Sequence, residues 1–270
     1  MDVVSRRYCF RLFLVLTFGT ASLAAQTDGL ALVRRALVLE RASGDAELRL
    51  AFRERVLLKE FNSSGNLRKT TEKVHDALMI EGSPQRILLE ENGRIVDADE
   101  MAGQQSFLKK VVEIRRNETP AERDRRIETF EKKRAQFREV LEEMPDAFLF
   151  RVAGEETRAG RVCYVLEASP RPGYQPRNRI GKIFTHTYGR LWIDKVSGHW
   201  VRAEGDLRET VNLGWIFVQM QKNTRAVAEQ RPFPGVGWQM SELWYRTVMR
   251  VGLFVTYREE VKASDWNYEE

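Results

Sequence analysis

Arg190-Leu191-Trp192-Ile193-Asp194, Lys195-Val196-Ser197-Gly198 and His199-Trp200-Val201-Arg202-Ala203-Glu204-Gly205 read as a strand, a turn and a strand. Bulky apolar residues fill both arms, and Ser-Gly closes the link with the small residues that a turn favours. A link this short joins neighbouring strands antiparallel, because a parallel pair needs a crossover of a dozen residues or more. The pattern repeats in both directions. Downstream, strand-like runs lie near 214–221 and over Arg225–Gln230, Gln239–Val248 and Val251–Lys262. Upstream, they cover Phe148–Val152, Arg161–Ala168 and Lys182–Tyr188, with a loop between the last two whose three prolines, 170, 172 and 176, cannot donate to a ladder.

Nearer the start, Leu50–Phe61, Leu67–Ile80 and Arg86–Glu90 continue the series. Ser63-Ser64-Gly65-Asn66 separates the first two, and Asn92-Gly93 before Arg94-Ile95-Val96 is a strong tight-hairpin signal. About ten or more short strands at hairpin spacing predict one antiparallel sheet. A sheet that large must curl, and side chains, helices or a ligand must fill its concave face. The fold class is therefore α+β, mainly β.

Helices are grouped and do not alternate with the strands. Thr27–Arg41 carries Leu30, Val33, Ala36, Leu37 and Leu39 largely on one side, with Ser43-Gly44-Asp45 predicted to end it. Asp97 with Glu100, and Thr119 with Glu122 beside Pro120, have the spacing of capping boxes that start two further helices. The first runs from Ala98, and the second from Pro120 to about Glu143. The second has a narrow apolar stripe among many charges. This pair at 97–145 either covers one side of the sheet or protrudes to meet a partner, and covering is the expectation.

Residues 1–25 have the order of a secretory signal peptide. Arg6, Arg7 and Arg11 precede the apolar run Leu12–Phe18, and Ala21-Ser22-Leu23-Ala24-Ala25 offers a cleavage site near Ala24. The expected mature chain, 26–270, is one domain located in the periplasm or outside the cell. The segment to be removed holds three arginines and one aspartate. The remaining 41 basic and 38 acidic side chains carry about +3, a balanced surface unlike that of a nucleic-acid binder. Cleavage also removes Cys9, so Cys163, in a strand-like run, is left as a buried inert thiol without a disulfide partner.

No pattern in the sequence singles out catalysis. His75, His186 and His199 lie at no zinc spacing, and no P-loop, G-x-S-x-G or G-x-G-x-x-G motif occurs. His186 and His199 could meet across neighbouring strands, although ordinary strand-surface histidines are the simpler reading. No catalytic residue, metal or cofactor is expected. An envelope hydrolase would need carboxylates that converge in space, and adjacent pairs such as Glu155/Glu156 point to opposite faces of a strand. Arg171, Arg177, Arg179 and Lys182 beside Tyr174 could contact lipid head groups or an acidic partner, with a solvated loop as the alternative. All six tryptophans, at 192, 200, 215, 238, 244 and 266, fall in the C-terminal half, suiting either a core or an apolar binding surface.

Gly189-Arg190-Leu191-Trp192-Ile193-Asp194-Lys195 and Trp200–Gly205 resemble the G-x-L-W-I-D hairpin of LolA/LolB-like periplasmic proteins. Gly160–Pro170 is similar to the strand before it in the outer-membrane lipoprotein-sorting group. The resemblance implies an incomplete antiparallel β-barrel with helices on its concave side and an apolar cavity for acyl chains. Residues 97–145 would then be a charged elaboration. By alternation, Leu191, Ile193 and Val201, with Leu253, Val255 and Tyr257, would line the inner face, and Trp192, Arg202 and Glu204 would face outward. The function implied is a non-catalytic envelope carrier of an acyl chain, lipid or lipoprotein. The alternative is an interaction or sensor domain without a lipid, meeting an envelope protein through helices 98–145. In either case any membrane contact is peripheral.

Overall fold

The computed structural model describes residues 28–47, 49–213, 218–252 and 255–269. The expected signal peptide, Cys9, Trp215 and Leu253 lie outside them. The N-terminal part runs α1 (Gly29–Glu47), β1 (Ala51–Phe61), β2 (Leu67–Ile80), β3 (Ser83–Glu91), β4 (Arg94–Ile95), α2 (Ala98–Arg116) and α3 (Pro120–Ala147). Then come β5 (Phe148–Arg158), β6 (Arg161–Pro170), a 3-10 helix (Gly181–His186), β7 (Thr187–Asp194) and β8 (Trp200–Leu207). The chain finishes with β9 (Val211–Asn212), β10 (Val218–Met220), β11 (Arg225–Phe233), β12 (Gly237–Val251) and β13 (Val255–Glu269).

The 13 strands make one sheet in the order β4-β3-β2-β1-β13-β12-β11-β8-β7-β6-β5, with β10 on β12 and β9 on β10. Every neighbour pair is antiparallel, as short links dictate. The path does not close: β4 and β5 are its ends. The first and last long strands pair with each other, Val56 opposite Ala263. At Asn92-Gly93 both residues have positive φ, 51° and 78°, as a two-residue hairpin turn requires. Gly189 allows β7 and β8 to approach: a Cβ there would lie 2.4 Å from the Glu204 carbonyl oxygen.

Helix α1 lies across the strands. Gly29 packs on Phe150 of β5, and Val33 and Ala36 bury against Leu166, Leu191 and Ile193 of β6 and β7. Further along, the Glu40 carboxylate accepts from Trp200 Nε1 on β8 (2.7 Å) and from Gln230 Nε2 on β11. The Ser43 carbonyl accepts from Gln239 Nε2 on β12 at 3.5 Å. From 29 to 43 the helix advances about 21 Å, close to the five strand spacings of ~4.8 Å between β5 and β12.

Both capping boxes form as the spacing predicts, Asp97 with Glu100 and Thr119 with Glu122, and Pro120 opens α3. Three local expectations are corrected. α1 continues through Ser43-Gly44-Asp45 to Glu47, because long side chains satisfy its last carbonyls: Gln239 takes that of Ser43 and Arg134 that of Gly44. α3 passes Glu143 and Pro145 to reach Ala147, and Arg171 binds the carbonyls of Pro145, Asp146 and Phe148 at its end. Lys182–Tyr188 is mostly a 3-10 helix, because Thr185 and Thr187 hydroxyls donate back to the Lys182 and Ile183 carbonyls.

The two charged helices behave differently. α3 starts at the β2–β3 turn, where Ile127 reaches Gly82, then runs beside α1 and enters β5. α2 has no buried residue, and Phe107 and Ile114 on it are 57% and 64% exposed. Its tie to β3 is polar: the Gln104 amide accepts from Leu88 N–H (2.7 Å) and donates to Leu88 C=O (2.9 Å), as a neighbouring strand would.

Because Glu40 joins α1 to two strands at once, Glu40→Ala leaves the Trp200 and Gln230 donors without their acceptor. A loss of about 1–3 kcal/mol is expected in urea unfolding. A change below about 0.5 kcal/mol, the ordinary surface effect, would contradict the role given to Glu40.

Candidate functional site

α1 and α3 run antiparallel, with Arg41 of one near Glu142 of the other (3.7 Å) and Asp45 near Arg134 (3.3 Å) and Arg138 (3.8 Å). They do not close on each other. Between them lies a crevice of about 470 Å3, lined by Leu37, Val38, Gly44 and Leu141, with Met240 of β12 contributing from the sheet. The volume is within the range of small-molecule sites. Six of the eleven lining residues are charged but turned to partners, Arg41 to Glu142, Arg134 and Arg138 to Asp45 and Glu131, and Glu40 to Trp200 and Gln230, so the surface left to the crevice is mainly apolar.

The expected inner-face residues lie elsewhere. Leu191 and Ile193 do face α1, but Val33 and Ala36 pack on them, so helix and not ligand covers that part of the sheet. Val201 corrects the alternation. The β7–β8 register shifts between Trp192 and Ile193, which turns Val201 to the opposite face with Cys163, Val165 and Trp192. Trp192 faces outward, as the alternation predicts. It is buried on that face, with Arg158 4.3 Å from its ring centroid and its Nε1 donating to Glu156 at 2.8 Å. Val255 and Tyr257 share the α1 face by register, but α1 does not reach them, and they are exposed.

The basic loop divides. Arg171 is engaged by the end of α3, and Arg177 pairs with Asp146 while its backbone N–H donates to Glu143 at 2.6 Å. Glu143 is fully buried and also accepts from the Tyr174 hydroxyl and from Asn178 Nδ2 at 3.3 Å. Burial first, and then the hydrogen bond to Glu143, push the Tyr174 hydroxyl pKa up. This cluster fastens the loop to α3. Arg179 and Lys182 are exposed.

The remaining expected groups are separated. His186 lies in the 3-10 helix near Glu209 (3.2 Å), whereas His199 stacks on Trp238, so the two histidines do not meet. Cys163 is fully buried, and burial, followed by nearby Asp194, raises its thiol pKa. Among the described residues no group of His, Cys, Asp and Glu has the geometry to hold a metal ion, and no helix is long and apolar enough to cross a membrane. The crevice residues were missed because they come from two helices some 100 positions apart. One signal was present: Val38 is an apolar position beyond the buried side of α1, and it is 70% exposed.

No family model and no curated protein matches the sequence. Solved structures to which the chain is similar include a LolA-superfamily protein, a DUF1329 family protein and a lipoprotein-sorting domain, each at a low TM-score. A LolA superfamily protein from Nitrosomonas europaea is 9% identical, over 90% of this chain and 93% of its own, at a TM-score of 0.29. A domain assigned to outer membrane lipoprotein-sorting proteins, from Vibrio parahaemolyticus, is 10% identical over 88% and 92%, at 0.27. MucB of Pseudomonas aeruginosa, in its complex with MucA, is 10% identical over 88% and 94%, at 0.24.

Burial holds the pKa of His75 and His199 below their usual value, against the opposing pull of Glu54 on the first and Asp194 on the second. Below about pH 6.5 the unfolded chain therefore binds more protons at these sites than the folded one. Their contribution to stability is full above that pH and is lost as the pH falls through the lowered folded values. The urea midpoint is expected to drop between pH 7.5 and 5. The drop should shrink in the double variant His75→Gln/His199→Gln, and an unchanged pH dependence would contradict the assignment.

Proposed function

We propose that this chain is a non-catalytic carrier or binding protein of the cell envelope, which shields the acyl chain of a lipid or lipidated protein in the crevice between α1 and α3. The observation that carries this reading is the crevice itself: about 470 Å3 of mainly apolar space between two helices, with its charged side chains engaged by ion pairs or, for Glu40, by Trp200 and Gln230. Burying the chain would provide the affinity, at about 25 cal/mol per Å2 removed from water. The order of residues 1–25, with basic, apolar and small-residue segments, supports export and removal near Ala24.

A second reading has its own observation. α2 turns Phe107 and Ile114 to solvent, and a helix with that face open suits a protein partner in the envelope. In that reading the fold serves as an interaction or sensor domain and the crevice stays empty.

Native mass spectrometry of the mature protein, before and after mild organic extraction, tests both. The carrier reading expects a removable mass of lipid size that is lost in Leu141→Asp, with the circular dichroism spectrum retained. A clean protein mass that takes up no lipid analogue would contradict it. A captured envelope protein released by Phe107→Asp/Ile114→Asp would then support the second reading.

A further inference from the structure

A second cavity lies farther along α3. It holds about 210 Å3 over β1 and β2, lined by Leu50, Phe52, Ala77, Met79, Pro84 and Phe130. Its lining and that of the α1–α3 crevice have two residues in common, Gly44 and Arg134. Arg134 is therefore the side chain between two largely apolar spaces.

The reason it stays there is local. Its guanidinium donates to the Gly44 carbonyl (2.9 Å), to Glu131 (2.8 Å) and to Asp45 (3.3 Å), and its side chain is 19% exposed. Gly44 opposes it with no side chain, and a Cβ built there meets nothing within 4 Å. The division is made by the Arg134 side chain together with the Gly44 backbone on which it sits.

We propose that Arg134 sets the length of the apolar chain that the protein accepts. In its hydrogen-bonded position it ends the site at the first cavity. If it is removed, the two spaces join, and a longer chain gains contacts with Phe52, Met79 and Phe130. Gly44 is the complementary determinant, since a bulky side chain there would narrow the same passage. The proposal rests on the acyl-binding reading of the crevice.

The test is displacement of a fluorescent fatty-acid probe by saturated fatty acids of about eight to eighteen carbons, on the full mature protein. While each added methylene is buried, affinity should rise about fourfold, and the rise should stop where the chain meets Arg134. In Arg134→Ala the stop is expected to move to a chain at least three carbons longer. In Gly44→Leu it is expected at a shorter chain, with no fall in thermal midpoint, because leucine is the better helix former. If Arg134→Ala does not fold, Arg134→Met, which keeps the stem and loses the donors, takes its place beside Gly44→Leu. An unchanged stop in folded variants that still bind would overturn the role of Arg134. Failure of every chain to bind both wild type and variants would instead overturn the acyl reading.

Discussion

The fit between the rise of one helix and the spacing of the strands beneath it underlies the rest of this structure. Over residues 29–43, α1 meets β5, then β6 and β7, then β8 and β11, then β12. Small or apolar residues make the first of these contacts. Polar groups make the last ones, with Glu40 receiving an indole and an amide at the point where burial would otherwise leave both donors unpaired. Once α1 lies across the sheet, α3 must run beside it and not beneath it. The crevice is the space left along their line of contact.

The charged character of α3 follows from how it is held. Arginines bind main-chain oxygens at each end and in the middle: Arg126 that of Glu81, Arg134 that of Gly44, and Arg171 those at the end of α3. Arg126 is itself steadied by Glu118, and this hydrogen-bonded pair raises the arginine pKa and lowers that of the carboxylate. A helix fastened by long polar side chains can stand off from its neighbour without losing its anchorage. A helix that docks by close apolar packing would have filled the same gap.

Much of the fold was legible because its signals are local. Asn92-Gly93, the two capping boxes, Pro120 and the strand–turn–strand at 190–205 are each read within a few residues, and the antiparallel order follows from them. Features that depend on partners distant in sequence were hidden. One added residue in β8 reversed the face of Val201, and carbonyl acceptors for Arg134 and Gln239 carried α1 past a glycine that normally ends a helix. Leu191 and Ile193, read as cavity lining, are covered instead by Val33 and Ala36 of α1. The candidate site was displaced for this reason: the sequence shows which strands need covering, and it does not show where the covering helices leave room.

The most direct measurement is photo-crosslinking of the mature protein with a fatty acid that carries a diazirine near its methyl end, with the adducts mapped by peptide mass spectrometry. If the crevice holds the acyl chain, the adducts fall on residues 37–45 and 134–142 and on Met240. Adducts concentrated instead at exposed Val255 and Tyr257, or an absence of adducts, would contradict it.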